Sequence, residues 1–357
     1  MVDLSFYKGK KVLITGHTGF KGSWLTKILL DVGAIITGYS LAPPENEESL
    51  FNLLELDKKI HHHIICDIRD LDKLSLVFSY EKPEIVFHLA AQPIVRTSYD
   101  EPVYTYETNV MGTVNVLECV KKTPSVKSFL NVTTDKVYKN NEWEWGYREC
   151  DVLDGYDPYS NSKSCSELVT SSYKKSFLNE LGVRVSTARA GNVIGGGDFA
   201  KDRIIPDCVR AAIAGEDIFV RNPNSVRPFQ HVLEPLFAYL LIAQKQYEDK
   251  VITDSYNVGP DDSDCVTVRE IATMFCNSWG DGLKWTTKAN FGPHEANFLK
   301  LDCSKIKNKL GWKPTWDISK AIEKTVEFAK VYHENGDITK CVENQINEFI
   351  LEGMKNV

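Results

Sequence analysis

KVLITGHTGFKG, from Lys11 to Gly22, is the stretch of sequence that decides the fold of this chain. An apolar strand, Lys11 to Thr15, comes first, and a helix-like run follows from Ser23 to Val32. Between them, glycines 16, 19 and 22 form the pattern G-x-x-G-x-x-G. The first glycine permits a tight turn, the second lets the backbone approach a pyrophosphate, and the third lets helix pack on strand. The stretch therefore predicts a dinucleotide site at a helix N-terminus.

Strands and helices alternate after this stretch. Apolar strands are predicted at 34–39, 60–66, 85–89, 129–132 and 183–188, and helices at 71–80, 104–122 and 159–181. Near-continuous apolar strands separated by helices are typical of strands that are buried on both faces. We therefore predict an α/β fold with a doubly wound parallel (Rossmann) sheet.

The alternation weakens after Ala190, where Gly195-Gly196-Gly197 and other turn residues mark loops. Helices are predicted at 235–246, 268–279, 304–310 and near 318–334. This part is too irregular to build a large sheet of its own. We predict a dinucleotide-binding domain of residues 1–190 plus about 228–257, and a second, smaller α/β substrate lobe of residues 191–227 plus 258–357. Ligands of such folds lie at the carboxyl edge of the sheet, where the second lobe would cover them.

Composition narrows the class of protein. The 357 residues carry a net charge of −7, which argues against general attraction to nucleic acid or to a membrane surface. The chain lacks a signal-peptide pattern and any run of 18 apolar residues. Its nine cysteines form no C-x-x-C motif, so we expect reduced thiols and a cytoplasmic protein. We predict no metal site, and expect His61, His62 and His63 to be solvated because neighbouring strand residues point to opposite faces.

The choice between NAD and NADP stays open at the end of the second strand. The segment 38–43 offers Ser40 but neither an acidic residue for the adenine ribose nor an arginine for a 2′-phosphate. Asp67 and Ile68, after the third strand, are candidates to meet the adenine. The alternative for Asp67 is to cap the helix that begins near residue 71.

Two polar clusters carry the chemistry. Tyr159 and Lys163 lie four residues apart on a predicted helix, so that the ammonium stands one turn from the phenol and favours its ionised form. This pair suits removal of a proton from a sugar hydroxyl during hydride transfer. Thr134-Asp135-Lys136 supplies a second acid/base couple, which a simple alcohol dehydrogenase does not need. The second couple points to a further proton transfer, such as elimination of water.

These motifs resemble the extended short-chain dehydrogenase/reductase family, the NAD-dependent epimerases and dehydratases. The resemblance is carried in order by GHTGFKG, Leu89-Ala90-Ala91-Gln92, Asn109, Thr134 and YSNSK at 159–163, and it continues through Asn192, Arg227 and Pro293-His294-Glu295. Asp135 is similar to the aspartate of the nucleotide-sugar 4,6-dehydratases. Most members of that group have Asp-Glu where this chain has Asp-Lys, and the lysine resembles the branch that acts on CDP-hexoses.

The resemblance implies NAD as cofactor and a CDP-hexose as substrate. It implies that Tyr159, with its pKa lowered by Lys163 and the nicotinamide charge, takes the proton of the 4-hydroxyl, and that Thr134 bonds the same oxygen. It further implies that Asp135 protonates the leaving 6-hydroxyl. Lys136 stands where relatives have the base for C5, and it acts there either as a neutral base or as a cation beside the enolate.

The remaining roles are also implied by the resemblance. The cofactor would contact Gly16, Thr18, Gly19, Phe20, Gly22, Ser40, Asp67, Ile68, Leu89, Ala90, Ala91, Tyr159 and Lys163, and the substrate would contact Gln92, Asn192, Arg203 and Arg227. Asn109 is expected to tie neighbouring segments together, while His231, His294 and Glu295 are expected to pack or cap. A homodimer through the helices near 104–122 and 159–181 is expected. The alternatives are another nucleotide-sugar dehydratase, acting on dTDP- or GDP-hexoses, a 4-epimerase, and a dinucleotide sensor without catalysis.

Overall fold

The computed structural model describes residues 2–45, 48–287 and 298–355, so His294 and Glu295 lie outside the described residues. The strands in this part of the chain are β1 (Lys11–Thr15), β2 (Ile35–Ser40), β3 (His62–Ile65), β4 (Ile85–His88), β5 (Ser128–Thr134), β6 (Arg184–Ala190), β7 (Val193–Ile194), β8 (Ile218–Val220), β9 (Val226–Arg227), β10 (Gln230–His231), β11 (Ser255–Val258), β12 (Val266–Thr267) and β13 (Trp285–Thr287).

The helices of the described residues flank these strands. They are α1 (Phe20–Asp31), α2 (Leu50–Leu53), α3 (Leu71–Glu81), α4 (Val95–Asp100), α5 (Pro102–Tyr106), α6 (Gly112–Lys122), α7 (Pro158–Tyr173), α8 (Ile204–Ala214), α9 (Leu233–Glu248), α10 (Val268–Trp279), α11 (Ser304–Leu310), α12 (Ile318–His333) and α13 (Ile338–Lys355). Short 3-10 turns lie at Leu4–Tyr7, Leu56–Lys58, Asp135–Val137, Lys250–Ile252 and Asp262–Asp264, and π-helical turns at Glu107–Met111 and Lys174–Leu178.

Seven strands form one sheet in the order β11-β6-β5-β4-β1-β2-β3, and every neighbouring pair is parallel. The predicted doubly wound parallel sheet is therefore confirmed. The chain leaves β1 towards β2 and β3, then crosses back to place β4 on the other side of β1. The strand order thus reverses between β1 and β4, and ligands of open α/β sheets bind at such a reversal.

Hydrophobic burial explains why these segments become strands. All seven residues of β5 and all four of β4 are buried, as expected for strands covered by helices on both faces. Helix α9 packs on β5 and β6. The carboxyl ends of β1, β4 and β5 are consequently held side by side at one edge of the sheet.

A second hydrophobic cluster lies outside the large sheet. It is formed by α8, α10 and α12 together with residues around β7 and β8. The strands of this region form only two-stranded pairs, as its irregular sequence predicts. Helix α13 packs instead with α9 in the main cluster, where the rings of Phe237 and Phe349 lie 4.8 Å apart. The predicted lobe boundaries remain a prediction.

Some elements differ from the sequence expectations. Strand β11 and the helices α8 and α13 were not predicted from the sequence. The helix expected at 104–122 is divided by the π-helical turn that contains Asn109. The helix expected at 159–181 leaves regular α geometry after Tyr173. None of the helices in the described segments combines the length and apolar character needed to cross a bilayer.

We expect Gly22→Ala to destabilise the fold. A Cβ at this position would lie 2.1 Å from the Gly16 carbonyl oxygen and 2.7 Å from the His17 Cα, and backbone atoms cannot rotate away. The expected loss in free energy of unfolding is about 1–3 kcal/mol, measured by urea denaturation. The matched control is Gly259→Ala, whose Cβ would meet Cys303 at an ordinary 3.5 Å. Equal stability of the two variants would contradict this packing account.

Candidate functional site

The turn after β1 brings α1 against the loop that follows β4. Gly16 has φ +79°, and a Cβ there would lie 2.8 Å from the backbone nitrogen of Ala90. Helix α1 begins at Phe20, and its N-cap, Gly19, has no side chain to cover the first turn. The first N–H groups of an α-helix lack partners within the helix. This turn therefore offers N–H donors and the positive helix end to an anionic group.

Polar and apolar groups follow at the ends of β2 and β3. The hydroxyl of Thr18 lies 2.8 Å from that of Ser40 and donates to the Leu41 carbonyl at 2.9 Å. Ile68 packs on the helix start at Gly112, where a Cβ would meet it at 2.4 Å. Ser40, Asp67 and Ile68 all line one cleft with the glycine turn. The predicted adenosine side of the site is thus brought together.

Asp67 is bound to Arg69. The Arg69 guanidinium donates to the Asp67 carboxylate at 3.0 and 2.8 Å, and its charge helps hold the pKa of that carboxyl below its usual range although burial acts against it. The alternative role of Asp67 as a helix cap is wrong. Helix α3 is capped by Asp70, which accepts from the Lys73 backbone N–H at 3.0 Å.

The loop after β4 separates the predicted contacts into two groups. Leu89, Ala90 and Ala91 line the cleft, whereas Gln92 does not belong to its lining. The Gln92 amide donates to Thr105 at 2.9 Å and accepts from the Ile94 N–H at 2.6 Å. The prediction that Gln92 reaches the substrate therefore has no geometric support, because the side chain is held inside the protein.

Asn109 connects this loop to α7. Its side-chain oxygen accepts from the Gln92 N–H at 2.8 Å, and its amide donates to the Gln92 carbonyl and to the Ser162 hydroxyl. Ser162 lies between Tyr159 and Lys163 on α7. The side chain of Asn109 thus contributes to placing the active-site helix.

Thr134, Asp135 and Lys136 stand where β5 ends and a 3-10 turn begins. The Thr134 hydroxyl donates to Asp135 Oδ1 at 2.9 Å and accepts from the Lys136 backbone N–H at 3.4 Å. The second carboxyl oxygen of Asp135 is buried without a hydrogen-bond partner in the described part of the protein. Lys136 is half-buried in the same cleft.

Burial favours the protonated form of Asp135. Desolvation raises the pKa of its carboxyl, and the positive charge of Lys136 and the Thr134 hydrogen bond only partly oppose that effect. A buried acid that keeps its proton is the form required to protonate a leaving oxygen. The unpartnered Oδ2 leaves an oxygen available for that transfer.

Tyr159 and Lys163 occupy the first turns of α7. Asp157 caps the helix by accepting from the Ser160 N–H at 2.9 Å, and Pro158 follows at the first helical position. The Lys163 ammonium donates to the Val132 carbonyl of β5 at 2.9 Å. The two predicted clusters therefore meet at the carboxyl end of β5.

The titration of this pair is set mainly by burial. Burial lowers the pKa of Lys163 to about 8, so the side chain is mostly charged at neutral pH. Burial also raises the pKa of Tyr159 to about 12, although its hydrogen bond with Thr134 and the charge of Arg203 act in the opposite direction. The protein groups alone do not lower the pKa of the phenol, in contrast to the sequence expectation.

Arginine side chains also line the cleft. Asn192 and Arg227 line it, and Arg203 donates to the Asp198 carboxylate at 2.9 Å from the start of α8. The cleft has a volume of about 1100 Å³ and also contains the glycine turn, Thr134, Asp135, Lys136, Tyr159 and Lys163. Arginine guanidinium groups match the geometry of a pyrophosphate.

Further basic residues of the cleft were missed from the sequence, among them Lys21 and Arg221. Lys21 follows Phe20 in the glycine turn, and burial lowers its pKa to about 8, assisted by the charges of Arg203 and Lys163. Arg221 pairs with Asp202 at 2.9 Å. Lys21 has a readable signal, because its position in the first turn of α1 follows from the glycine spacing. Arg221 lies in a loop without such a pattern.

The histidine run does not behave as its spacing suggests. His61 precedes β3, and its ring lies 4.1 Å from that of His62. With Glu81, these two histidines place three possible ligand atoms within 4.8 Å of one another at the opposite end of β3 from the cleft. The argument from alternating strand faces is thus wrong for this pair. The expectation that the run holds no metal stays a prediction.

The donor set fits a dinucleotide. One wall of the cleft contains the N-terminus of α1 and the hydrogen-bonded hydroxyls of Thr18 and Ser40. Gly16 and Gly19 lie in the same wall, where they leave the backbone uncovered by side chains. That wall ends at the Tyr159 and Lys163 pair. A pyrophosphate at the helix start would therefore lie in the same cleft as the acid/base groups.

Comparison with known proteins agrees with this geometry. A family model described as GDP-mannose 4,6 dehydratase matches residues 13–325. The CDP-glucose 4,6-dehydratase of Salmonella typhimurium is 47% identical over 356 residues, covering 98% of this chain and 99% of that protein.

Solved structures share the fold. The UDP-glucose 4-epimerase of Thermotoga maritima, determined with UDP-glucose, has a TM-score of 0.78 at 22% identity, covering 90% of this chain and 99% of that one. The dTDP-glucose 4,6-dehydratase of Bacillus anthracis, determined in complex with NAD, has a TM-score of 0.77 at 22% identity, covering 91% and 98%. At this identity the likeness concerns the fold.

We expect His88→Gln to make the fold less sensitive to acid. His88 lies between Thr15 and Thr113 at 2.7 and 3.1 Å, and burial lowers its pKa from 6.5 to about 3. The unfolded chain takes up this proton below about pH 6.5 while the folded chain does not, so stability is lost as pH falls. The variant should lose about 1.4 kcal/mol less per pH unit between about pH 6 and 4, measured by urea unfolding.

The control for this prediction is His61→Gln, which changes an exposed histidine and should keep the parental pH slope. A parental slope in His88→Gln as well would show that His88 does not resist protonation in the fold.

Proposed function

The chain belongs to the GDP-mannose 4,6 dehydratase family. From its 47% identity with a CDP-glucose 4,6-dehydratase, we propose that it has that activity. It converts CDP-D-glucose to CDP-4-keto-6-deoxy-D-glucose by oxidation at C4, loss of water across C5 and C6, and reduction at C6. The observation that carries the proposal is the second acid/base couple, Asp135 and Lys136, in the same cleft as Tyr159 and Lys163. Oxidation alone requires only Tyr159 and Lys163.

NAD is the proposed cofactor. Its pyrophosphate would be held by the glycine turn from Gly16 to Gly22, and its adenosine side by Ser40, Asp67 and Ile68. Leu89, Ala90 and Ala91 would border it, and Lys163 would bond the nicotinamide ribose. When bound, NAD supplies the acceptor for the C4 hydrogen, its return to C6, and a positive charge near Tyr159.

The oxidation step is assigned to Tyr159 and Lys163. Tyr159, as its phenolate, takes the proton of the sugar 4-hydroxyl, and Thr134 hydrogen-bonds the same oxygen. Lys163 is held by the Val132 carbonyl with most of its positive charge at neutral pH, which favours the phenolate. Because burial holds the phenol protonated in the protein alone, it becomes a base only in the loaded cleft.

The dehydration step is assigned to Asp135 and Lys136. Oxidation at C4 makes the C5 hydrogen acidic. Asp135, whose pKa is raised by burial, protonates the leaving 6-hydroxyl. Lys136 acts at C5, either by taking the proton as a neutral amine or by stabilising the enolate as a cation. Asn192, Arg203 and Arg227 hold the pyrophosphate of the sugar nucleotide.

The alternative is a nucleotide-sugar 4-epimerase, since a solved epimerase shares the fold. Epimerisation needs Tyr159 and Lys163, but it gives no function to a buried acid with a free oxygen at Asp135. Dehydratases that act on dTDP- or GDP-hexoses are the remaining enzymatic alternatives. A sensor without catalysis would not need the phenol and ammonium pair.

The deciding experiment is incubation of the purified protein with CDP-glucose and NAD. Alkali is then added, and the near-ultraviolet absorbance of a 4-keto sugar is read. We expect a signal with CDP-glucose. A signal only with dTDP- or GDP-hexoses would overturn the nucleotide assignment, and recovery of CDP-galactose without a 4-keto product would favour the epimerase.

Lys136→Ala should separate oxidation from dehydration. Removing the ammonium takes away the group at C5 and leaves Tyr159 and Lys163 in place, so C4 oxidation should persist. We expect dehydration to slow by roughly 10²–10⁴-fold, with reduced nicotinamide accumulating in single-turnover absorbance. Lys139→Ala, three residues away and exposed, should behave as the parent. Parental turnover of Lys136→Ala would remove Lys136 from the mechanism.

We further propose a homodimer through α5, α6 and α7. These helices lie side by side, and Val103, Met111 and Leu168 present 70%, 52% and 56% of their surface to solvent. Large exposed apolar side chains on adjacent helices are typical of an interface. The proposal also includes the two predicted lobes and a cytoplasmic location. The location is supported by the nine cysteines, all of which are free thiols.

Leu168→Glu should therefore yield monomers. A charge at the centre of an apolar interface is desolvated without a partner, which opposes association. Sedimentation equilibrium measures the mass. The matched control is Leu76→Glu, because Leu76 is 59% exposed on α3, outside the proposed interface. A dimer that survives Leu168→Glu would place the interface elsewhere.

A further inference from the structure

We infer that Glu167 is a positioning residue that holds α7 against the end of β5 and so fixes the two acid/base pairs relative to each other. The pairs come from different elements, because Thr134 to Lys136 follow β5 whereas Tyr159 and Lys163 lie on α7. Glu167 is one turn beyond Lys163 on α7 and is 3% exposed. The inference rests on the proposed function, whose reaction uses both pairs.

The carboxylate of Glu167 bonds to both strands that face α7. Its Oε1 accepts from the Thr133 hydroxyl of β5 at 2.5 Å. Its Oε2 accepts from the Thr187 hydroxyl and from the Arg189 guanidinium of β6 at 2.7 and 2.9 Å. Thr133 immediately precedes Thr134. A single side chain, that of Glu167, therefore connects α7 to the end of β5 that carries Thr134.

Arg189 extends the link to the other side of the catalytic turn. Its guanidinium donates to the Tyr138 hydroxyl at 2.9 Å, and the Tyr138 hydroxyl donates to Asn257 on β11 at 2.6 Å. Tyr138 directly follows the turn Asp135–Val137. The turn that carries Asp135 and Lys136 is thus held before its start by Thr133 and after its end by Tyr138.

Glu167 also balances the charge of Lys163. Burial lowers the pKa of Lys163, and the Glu167 carboxylate acts in the opposite direction. Other titratable groups near Lys163 include Tyr159 on its own helix, His88 from β4, Lys21 from α1 and Asp135 after β5. His88 is neutral near pH 7 and Lys21 is mostly a cation, whereas the Glu167 carboxylate acts to raise the pKa of Lys163. Loss of the Glu167 charge would lower the pKa of Lys163 and so favour the neutral amine of that side chain.

Arg189 and Glu167 form a buried ion pair, with side chains 4% and 2% exposed. A buried pair of this kind commonly adds little stability over apolar residues of the same size. We assign it a positioning role instead, through its hydrogen bonds to residues on both sides of the turn Asp135–Val137. They hold the turn and α7 in one register, as the reaction requires of two pairs acting on one sugar ring.

The test compares Glu167→Gln, which removes the charge, with Glu167→Asp, which keeps it. Steady-state kinetics with CDP-glucose and NAD are measured from about pH 6 to 9. We expect Glu167→Gln to move the alkaline limb of the kcat profile to lower pH by about one unit, because Lys163 loses its proton earlier. The KM for CDP-glucose should stay near the parental value. Glu167→Asp should restore the position of the limb.

A second variant tests the mechanical link without changing any charge. Thr133→Val keeps the shape of the side chain and removes its bond to Glu167. We expect at least a fivefold lower kcat, with the alkaline limb at its parental pH and the KM little changed. If Glu167→Gln fails to fold, Thr133→Val still tests whether the link between α7 and β5 affects kcat.

The matched control is Glu234→Gln. Glu234 is also buried and accepts from the backbone N–H groups of Thr315 and Trp316, away from α7 and β5. Burial raises the pKa of its carboxyl to about 8, within the assayed range, so the variant shows whether a remote buried carboxyl moves the alkaline limb. It should change the melting temperature at most, with a parental pH profile. A folded Glu167→Gln whose profile superimposes on the parent, or a parental kcat in Thr133→Val, would overturn the inference. Absence of parental turnover on CDP-glucose would instead reject the proposed function.

Discussion

The close approach of α1 and the β4 loop to the turn after β1 is the constraint on which the cleft depends. At Gly16 and Gly22 the space of a methyl group is already taken by backbone atoms of Ala90 and of the turn itself. Any side chain there would push α1 away from the sheet. The helix N-terminus would then no longer stand in one wall with the ends of β2 and β4. Because the Trp24 indole of α1 also donates to the Gly196 carbonyl at 2.9 Å, the same constraint reaches the loop at Gly195-Gly196-Gly197.

Burial, more than pairing, determines the chemistry of the cleft. It raises the pKa values of Asp135 and Tyr159 and lowers that of Lys163, so each group is shifted towards its neutral form. For Asp135 this shift favours the protonated acid. For Lys163 it would remove the charge that the phenol needs, and the nearby Glu167 carboxylate opposes that loss. Tyr159 remains a poor base until the cleft is filled.

Several residues show where reading the sequence succeeded. The glycine spacing and the apolar strands predicted the sheet, and the Y-x-x-x-K and T-D-K clusters were placed together as expected. For Gln92 the predicted substrate contact has no geometric support, because its side chain bonds to Thr105 and to the Ile94 N–H. Asp67 was the cap that the sequence suggested, whereas the structure has Asp70 in that role. Lys21 was overlooked because its residue type does not distinguish it from other lysines. Its distinguishing property is a pKa lowered by burial, which arises only in the fold.

The sequence by itself determined the elements and their order, because the period of apolar residues and the positions of glycine act locally along the chain. It also predicted candidate acid/base residues, because these residue types occur at short spacings on one helix and at one strand end. Only the tertiary structure decided which side chains are buried together. Glu167 and Arg189 meet Thr133 and Tyr138 from elements far apart in sequence, and no local pattern marks such contacts. Their effect on Lys163 depends on desolvation and distance, which exist only in the folded protein.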